Sequence, residues 1–409
     1  MLYPYQGCSM PNNITKHIIL SITIIILLLL SCDRQDRITD SSSFLTWETV
    51  VGGTEIDEGY SIISTFDDGC IVAGTTESFG SGEGDIYIIR LNRGGDTLWT
   101  KTYGADQDDR GRAITHTPNG GYIVAGDIPS FGASAYDMFL IRIDSKGDMM
   151  WYKTYGGSGN ETAYSIETLP DGNSLIAGFT SSFGSRHGIY TLKINQFGDI
   201  LWSNVFWGDA IIYYRVAMTS INGGLYITGS YMLQEDSGAH NDVFVIKTNS
   251  EGDSLFTKFI GGTKDDMGYS IVTTPDGGCI VAGTTRSFGA GGLDVYLIRL
   301  NSSGDIIWTK TFGNQGADIA NSIISSSDGS FVIAGYSESF AGADKNVLLM
   351  KIDIDGNLVW ARSLDSFPVM DFAYSVTQAI DGGYILTGYR SLSKNKYVYI
   401  IKTDPNGDL

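Results

Sequence analysis

From about Thr46 onward the chain alternates short apolar runs with clusters of Gly, Asp and Asn. Between Tyr269 and Phe312 the runs are YSIVTT, CIVAGTT, DVYLIRL and DIIWTKTF. Val, Ile, Tyr and Thr dominate them, and runs of this length bounded by turn residues predict β-strands. The pattern then repeats itself: CIVAGTT stands at Cys70–Thr76 and again at Cys279–Thr285. An Asp-Gly or Asn-Gly turn recurs at Asp67, Asn119, Asp171, Asn222, Asp276, Asp328 and Asp381, in steps of 52, 52, 51, 54, 52 and 53. Four strands per unit and a period near 50 predict a propeller or array.

The punctuation has its own chemistry. D-G-G and N-G-G tolerate positive φ and join the first two strands of a unit as tight hairpins. Asn92–Gly95, Asp144–Gly147, Asn301–Gly304 and Asp404–Gly407 place Asp or Asn first and Gly fourth, which suits a type I turn between the third and fourth strands. The second strand carries glycine at one position in all seven units: Gly74, Gly126, Gly178, Gly229, Gly283, Gly335 and Gly388. Glycine inside a strand marks close backbone approach, and the expected place is the narrow part of each wedge, where neighbouring blades crowd. Seven units fill residues 44–409. The last ends at NGDL before its fourth strand, while FLTWETVVGG at Phe44–Gly53 is a fourth strand with no unit before it. The fold expected is therefore all-β, a seven-bladed β-propeller of four-stranded blades whose last blade is closed by the strand around Trp47.

Residues 1–31 have a different character. Ile18–Leu30 is thirteen almost wholly apolar residues, shorter than the ~20 a membrane-spanning helix needs. Lys16 and His17 precede it and Ser31-Cys32 follow, the layout of a secretory leader. LLSC resembles the lipobox of bacterial lipoproteins. That resemblance implies removal of 1–31, acyl chains on Cys32 and a lipid anchor to a membrane of the cell envelope, the outer membrane or cell surface rather than the inner membrane. Residues 32–43 would then be a polar tether. Cys70 and Cys279 occupy equivalent places in distant repeats and are expected as separate buried thiols. With 27 basic against 46 acidic residues and a formal charge of −19, the chain repels phosphate backbones, so nucleic acid is not expected as a partner.

What recurs in every unit is most simply scaffold, and a site is sought where repetition breaks. Asp57, Asp109, Glu161, Asp266, Asp318 and Asp371 recur before the first strand and are expected to order its entry. Arg90, Arg142, Lys193, Lys247, Arg299, Lys351 and Lys402 recur beside the Asp-bearing turns and are expected to pair there. Trp47, Trp99, Trp151, Trp202, Trp308 and Trp360, with Phe256, are expected as packing on the outer strands. A less uniform ring, Tyr60, Arg112, Tyr164, Arg215, Tyr269, Asn321 and Tyr374, should surround the channel mouth on the face bearing the longer loops. Its phenols and guanidiniums suit sugar faces and carboxylates. Repetition breaks hardest between units 3 and 4, at Arg186 and His187, at Trp207, Tyr213, Tyr214 and Arg215, and at Tyr231, Glu235, Asp236 and His240. This cluster and the ring residues Tyr60, Arg112, Tyr164, Tyr269 and Tyr374 are the expected binding surface.

The repeat resembles propeller repeats of bacterial lipoproteins and of quinoprotein-like propellers, through lines such as IDIDGNLVW at Ile352–Trp360. Its Asp-to-Gly spacing is one residue shorter than in the quinoprotein motif and one longer than in the sialidase Asp box, so neither chemistry is carried over. GSGEGD at Gly80–Asp85 lies between strands and is no dinucleotide loop. No catalytic set, metal site or cofactor is expected. The function expected is binding by a monomer, of a glycan or small anionic ligand at the channel mouth. An envelope protein docked on the loop face is the alternative. A hydrolase or lyase using Glu235, Asp236, His187 or His240 comes third.

Overall fold

The computed structural model describes residues 44–129, 136–183, 187–207, 212–235, 238–340, 345–364 and 369–409, with backbone alone at 207, 212–215 and 233–235. Among these residues, 28 strands form seven four-stranded antiparallel sheets, with no helix. Blades 1 to 6 take consecutive strands, in residues 57–103, 110–155, 161–207, 212–260, 266–312 and 318–364. Blade 7 takes three strands from residues 370–403, and its fourth is Trp47–Val51, paired with Asn395–Thr403 from Trp47↔Lys402 to Val51↔Val398. The expected closure is the one found. It leaves no unpaired strand at the joint of the ring, where an open edge would template other chains. Second and third strands are buried nearly throughout, because each is covered by the blades on both sides.

Adjacent blades are fastened at three radii. Innermost, a serine of each of five inner strands accepts a backbone N–H from the next blade: Ser61 from Ile114 at 3.3 Å, Ser165 from Met218 at 3.4 Å, Ser270 from Ile323 at 3.1 Å, Ser322 from Val376 at 3.4 Å and Ser375 from Ile62 at 3.3 Å. In the middle are apolar clusters, each drawn from two neighbouring blades. Outermost, the tryptophans press on the next blade's tight turn. Trp47 Nε1 donates to Arg93 O at 2.9 Å and Trp308 Nε1 to Ile354 O at 3.1 Å. The turn glycines beneath them, Gly95 (φ 83°) and Gly356 (φ 75°), are needed twice: their φ suits glycine, and a Cβ would strike the indole.

The strand-two glycine has a different cause from the one expected. Six of the seven inner strands slip register by one residue, between Gly59 and Ser61, Gly111 and Ala113, Ala163 and Ser165, Gly268 and Ser270, Ala320 and Ser322, and Ala373 and Ser375; the inner strand of blade 4 shifts further, between Tyr213 and Ala217. The extra residue is a β-bulge, and it pushes the carbonyl two residues before it across the facing strand. A Cβ on Gly74 would meet Glu58 O, and one on Gly283 would meet Met267 O. The crowding is thus within a blade, not between blades.

Two other recurring sets settle as scaffold. The inner-strand acids are fully buried and hold their own loops, as Asp57 does by accepting Gly53 N–H at 2.7 Å and the Ser78 hydroxyl at 2.8 Å. In the basic set, Arg90, Arg299, Lys351 and Lys402 pair with Asp67, Asp276, Asp328 and Asp381 of the Asp-Gly turns. Cys70 and Cys279 are separate buried thiols, each pushed up to about 12 by burial.

Candidate functional site

The residues that bulge from the inner strands are Tyr60, Arg112, Tyr164, Tyr269, Asn321 and Tyr374. A bulge residue has no partner across the ladder, so its side chain is re-aimed, here into the channel mouth. All six line one hollow of about 250 Å³ at the axis. The ring read from the sequence is therefore gathered in one place, except Arg215, of which only the backbone is described.

Its polar groups are largely engaged with the protein itself. Tyr60 Oη donates to Glu58 Oε2 at 2.6 Å, and burial followed by the Glu58 charge raises its phenol. The Arg112 guanidinium pairs with the buried Asp127 carboxylate and lies 5.1 Å over the Tyr164 ring. Burial alone would lower Arg112, but Asp127 outweighs it and holds the charge. Tyr269 Oη donates to Met267 Sδ at 2.9 Å, and Asn321 Nδ2 to Ala373 O at 2.8 Å.

Beside the axis, over blades 4 to 7, opens a larger recess of about 460 Å³. Its walls are Tyr269, Tyr336, Phe372, Tyr374 and Tyr389, with Met267 and Ile319, and Ser230, Asn241 and Asn321 supply polar edges. Phe372 stacks on Tyr389 with centroids 4.6 Å apart and meets Tyr336 edge-on at 4.7 Å. Lys345 lies over Tyr336 and Phe372, and Lys396 over Tyr389. Both lysines are ion-paired, with Glu338 and Glu58. The recess is thus aromatic, with little net charge at its edge.

Of its walls the sequence reading named only Tyr269, Asn321 and Tyr374. Tyr336, Phe372 and Tyr389 escaped it, although a signal was present. The residue after the strand-two glycine reads Thr75, Asp127, Phe179, Ser230, Thr284, Tyr336 and Tyr389 round the ring, so aromatics cluster in the last two blades.

The cluster expected between units 3 and 4 is described in part. Arg186 and Asp236 lie outside the described residues, as does Cys32, and of Trp207, Tyr213, Tyr214, Arg215 and Glu235 only the backbone is described. Tyr213 stands opposite Ser230 in the ladder, which brings this segment to the edge of the recess. Tyr231 packs on Phe259 at 4.6 Å. His240 is buried with Nε2 3.8 Å from Asp242, and exposed His187 meets Phe179 edge-on at 4.9 Å. None of these three lines the recess. No group of three or more His, Cys, Asp or Glu able to hold a metal occurs among the described residues.

A family model described as a domain of unknown function (DUF5122) β-propeller matches residues 274–306, from the Asp-Gly turn of blade 5 to the start of its outer strand. The chain is a repeat propeller. It is 20% identical over 420 residues to an uncharacterized WD repeat-containing protein of Acanthamoeba polyphaga mimivirus, covering 72% of this chain and 30% of that protein. To the regulatory protein FlaEY of Caulobacter vibrioides it is 26% identical over 134 residues, 30% of this chain and 14% of that one. The propeller thus spans less than a third of either relative. Among solved structures it resembles the polysaccharide lyase Uly1, with TM-score 0.53, 11% identity and coverage of 85% and 90% of the two chains. An ulvan lyase bound to GlcA(1-4)Rha3S gives TM-score 0.52 at 12% identity, covering 88% and 96%. The Pan2 WD40 domain of Neurospora crassa gives 0.50 at 11%, covering 88% and 100%. At such identities these likenesses show the fold alone.

Proposed function

We propose that the propeller is a binding module that takes a glycan against the aromatic recess of its loop face, anchored to a cell envelope through lipid on Cys32. One observation carries this reading: five aromatic rings and three small polar side chains wall a single recess. Apolar walls with a few convergent polar groups are the usual make-up of a ligand site, and sugar faces stack on such rings while their hydroxyls need Asn and Ser. A small anionic ligand fits less well, because Arg112 is already ion-paired with Asp127. The unit 3–4 segment, with Trp207, Tyr213, Tyr214 and Arg215, would extend the same surface from the Ser230 side.

A second reading, carbohydrate cleavage, draws support from the two lyases of similar fold. Against the hydrolytic form of it, the described walls of the recess include no carboxylate, whereas most glycosidases need a pair. An envelope protein docked on the loop face is the third.

The test is thermal unfolding of the protein against a panel of oligosaccharides and cell-wall fragments. A ligand at a hundred times its Kd adds about 2.7 kcal/mol. Phe372→Ala and Tyr374→Ala are expected to weaken binding about tenfold or more, about 1.4 kcal/mol. If a bound sugar is indifferent to both substitutions, the recess is not its site.

A further inference from the structure

At four of the seven blade junctions, an acid of a third strand, at its first residue in three of them and further in for Asp242, meets an acid at the entry of the next inner strand. They are Asp85 with Asp109, Asp137 with Glu161, Asp242 with Asp266, and Asp294 with Asp318. Each pair converges on one glycine, Gly104, Gly156, Gly261 or Gly313, and both carboxyls crowd the place a Cβ would take. Two junctions are the clearest. The inner-strand acid is well supplied there. Glu161 accepts Gly157 N–H at 2.9 Å, Ser182 N–H at 3.2 Å and the Thr180 hydroxyl at 2.6 Å; Asp318 accepts Asn314 N–H at 3.2 Å and the Ser337 hydroxyl. The third-strand acid is not. Asp294 Oδ2 accepts Ala290 N–H at 2.9 Å, but among the described residues its buried Oδ1 has no hydrogen-bond partner, and neither has Asp137 Oδ1.

Two buried anionic oxygens facing one another are costly unless a proton or a positive charge lies between them. Among the described residues no base is ion-paired with Asp137, Glu161, Asp294 or Asp318. Around Asp294 the other titratable groups on packed elements are Asp266, Tyr296, Glu338 ion-paired with Lys345, and exposed Arg286. Around Asp137 they are Asp109, Asp127 ion-paired with Arg112, Tyr155 and Tyr190. The ring supplies a comparison at the junction of blades 6 and 7. There the third-strand position is Asn346, an amide with the shape of a protonated carboxyl, and the facing Asp371 has Arg390 upon it.

We propose that the Asp137–Glu161 and Asp294–Asp318 junctions each take up one proton from solvent, the third-strand carboxyl donating it to the inner-strand carboxylate. Proton binding then fastens blade 2 to blade 3 and blade 5 to blade 6. Burial, then the Glu161 charge, raises Asp137; burial, with Asp318 adding, raises Asp294. A carboxyl raised in the folded state gives stability at low pH that is lost as pH rises through its folded value, upward from the ordinary ~3.9.

The test is thermal unfolding at pH 5 and pH 8 of the wild type, Asp137→Asn, Asp294→Asn and the double variant. Exposed Glu251→Gln serves as control for the overall negative charge. The wild type is expected to melt lower at pH 8, and the double variant to gain at pH 8 and narrow the gap more than the control does. Infrared spectra of the wild type should show protonated-carboxyl absorption at mildly acidic pH that the double variant loses. That spectrum reports on the wild type even if the variants fold poorly. Equal destabilisation at both pH values would overturn the proposal. So would calcium raising the wild-type melting point at pH 8 but not that of the double variant, since the junctions would then be cation sites.

Discussion

Arg390 is the most heavily engaged charge in the blade that closes the ring. Its side chain is 6% exposed; Nε and Nη2 hold the Asp371 carboxylate at 3.0 and 2.7 Å, and the guanidinium lies 3.9 Å over the Tyr399 ring. Glu48 on the closing strand adds a contact at 3.6 Å. Arg390→Met keeps the apolar stem and deletes the charge, leaving Asp371 buried without its cation. Breaking a buried pair from one side costs about 3–5 kcal/mol; the lost ring contact adds about 1, and half-wet Glu48 adds little. A loss of about 5 kcal/mol is therefore expected. In a domain this large it moves Tm by only about 2 °C per kcal/mol, so the urea midpoint is the sharper assay. The sign with pH is also fixed. In the variant the buried Asp371 carboxyl has lost its cation, is raised and binds a proton when folded, so the deficit is full at pH 8 and shrinks toward pH 4. The double variant Arg390→Met with Asp371→Asn should recover much of the loss. A deficit under about 1 kcal/mol at pH 8, or a double variant no better than the single, would refute the reasoning.

Gly283→Ala drives a methyl into Met267 O and should cost about 3 kcal/mol by overpacking; it should also displace the Tyr269 bulge, which sugar-binding assays would read as weakened affinity. Trp308→Ala removes an indole seated on Gly356 and bonded to Ile354 O, with a cost of about 3 kcal/mol expected in urea unfolding. Deleting residues 45–51 bares the edge of Asn395–Thr403, and size-exclusion chromatography should show self-association.

The architecture was legible because it is written seven times. A motif tolerated once by chance is not tolerated at seven steps of 51 to 54 residues, and the surplus strand at Trp47 could belong only to the blade that lacked one. The cause of the strand-two glycine was not legible, since it depends on a one-residue slip in register that leaves no mark in composition. The channel-mouth ring was legible as a column of the repeat. The recess beside it was not, because its walls come from different columns of neighbouring blades: Phe372 two places before the bulge of blade 7, Tyr336 one place after the glycine of blade 6. Only the folded ring brings those columns side by side.

The bulge also separates two demands that a sheet usually ties together. An ordinary strand residue answers to its neighbour across the ladder, so changing it disturbs the blade. Here the residue facing the channel has no opposite number across the ladder, and its contacts are with other side chains of the mouth and its rim, while the glycine and the carbonyl beneath it keep the backbone fixed. Tyr, Arg, Tyr, Tyr, Asn and Tyr stand at the six described bulges on strands otherwise much alike. The mouth is in effect a set of sockets on an unchanging frame, in which residues as unlike as Tyr, Arg and Asn are seated by the same bulge without a redesigned blade.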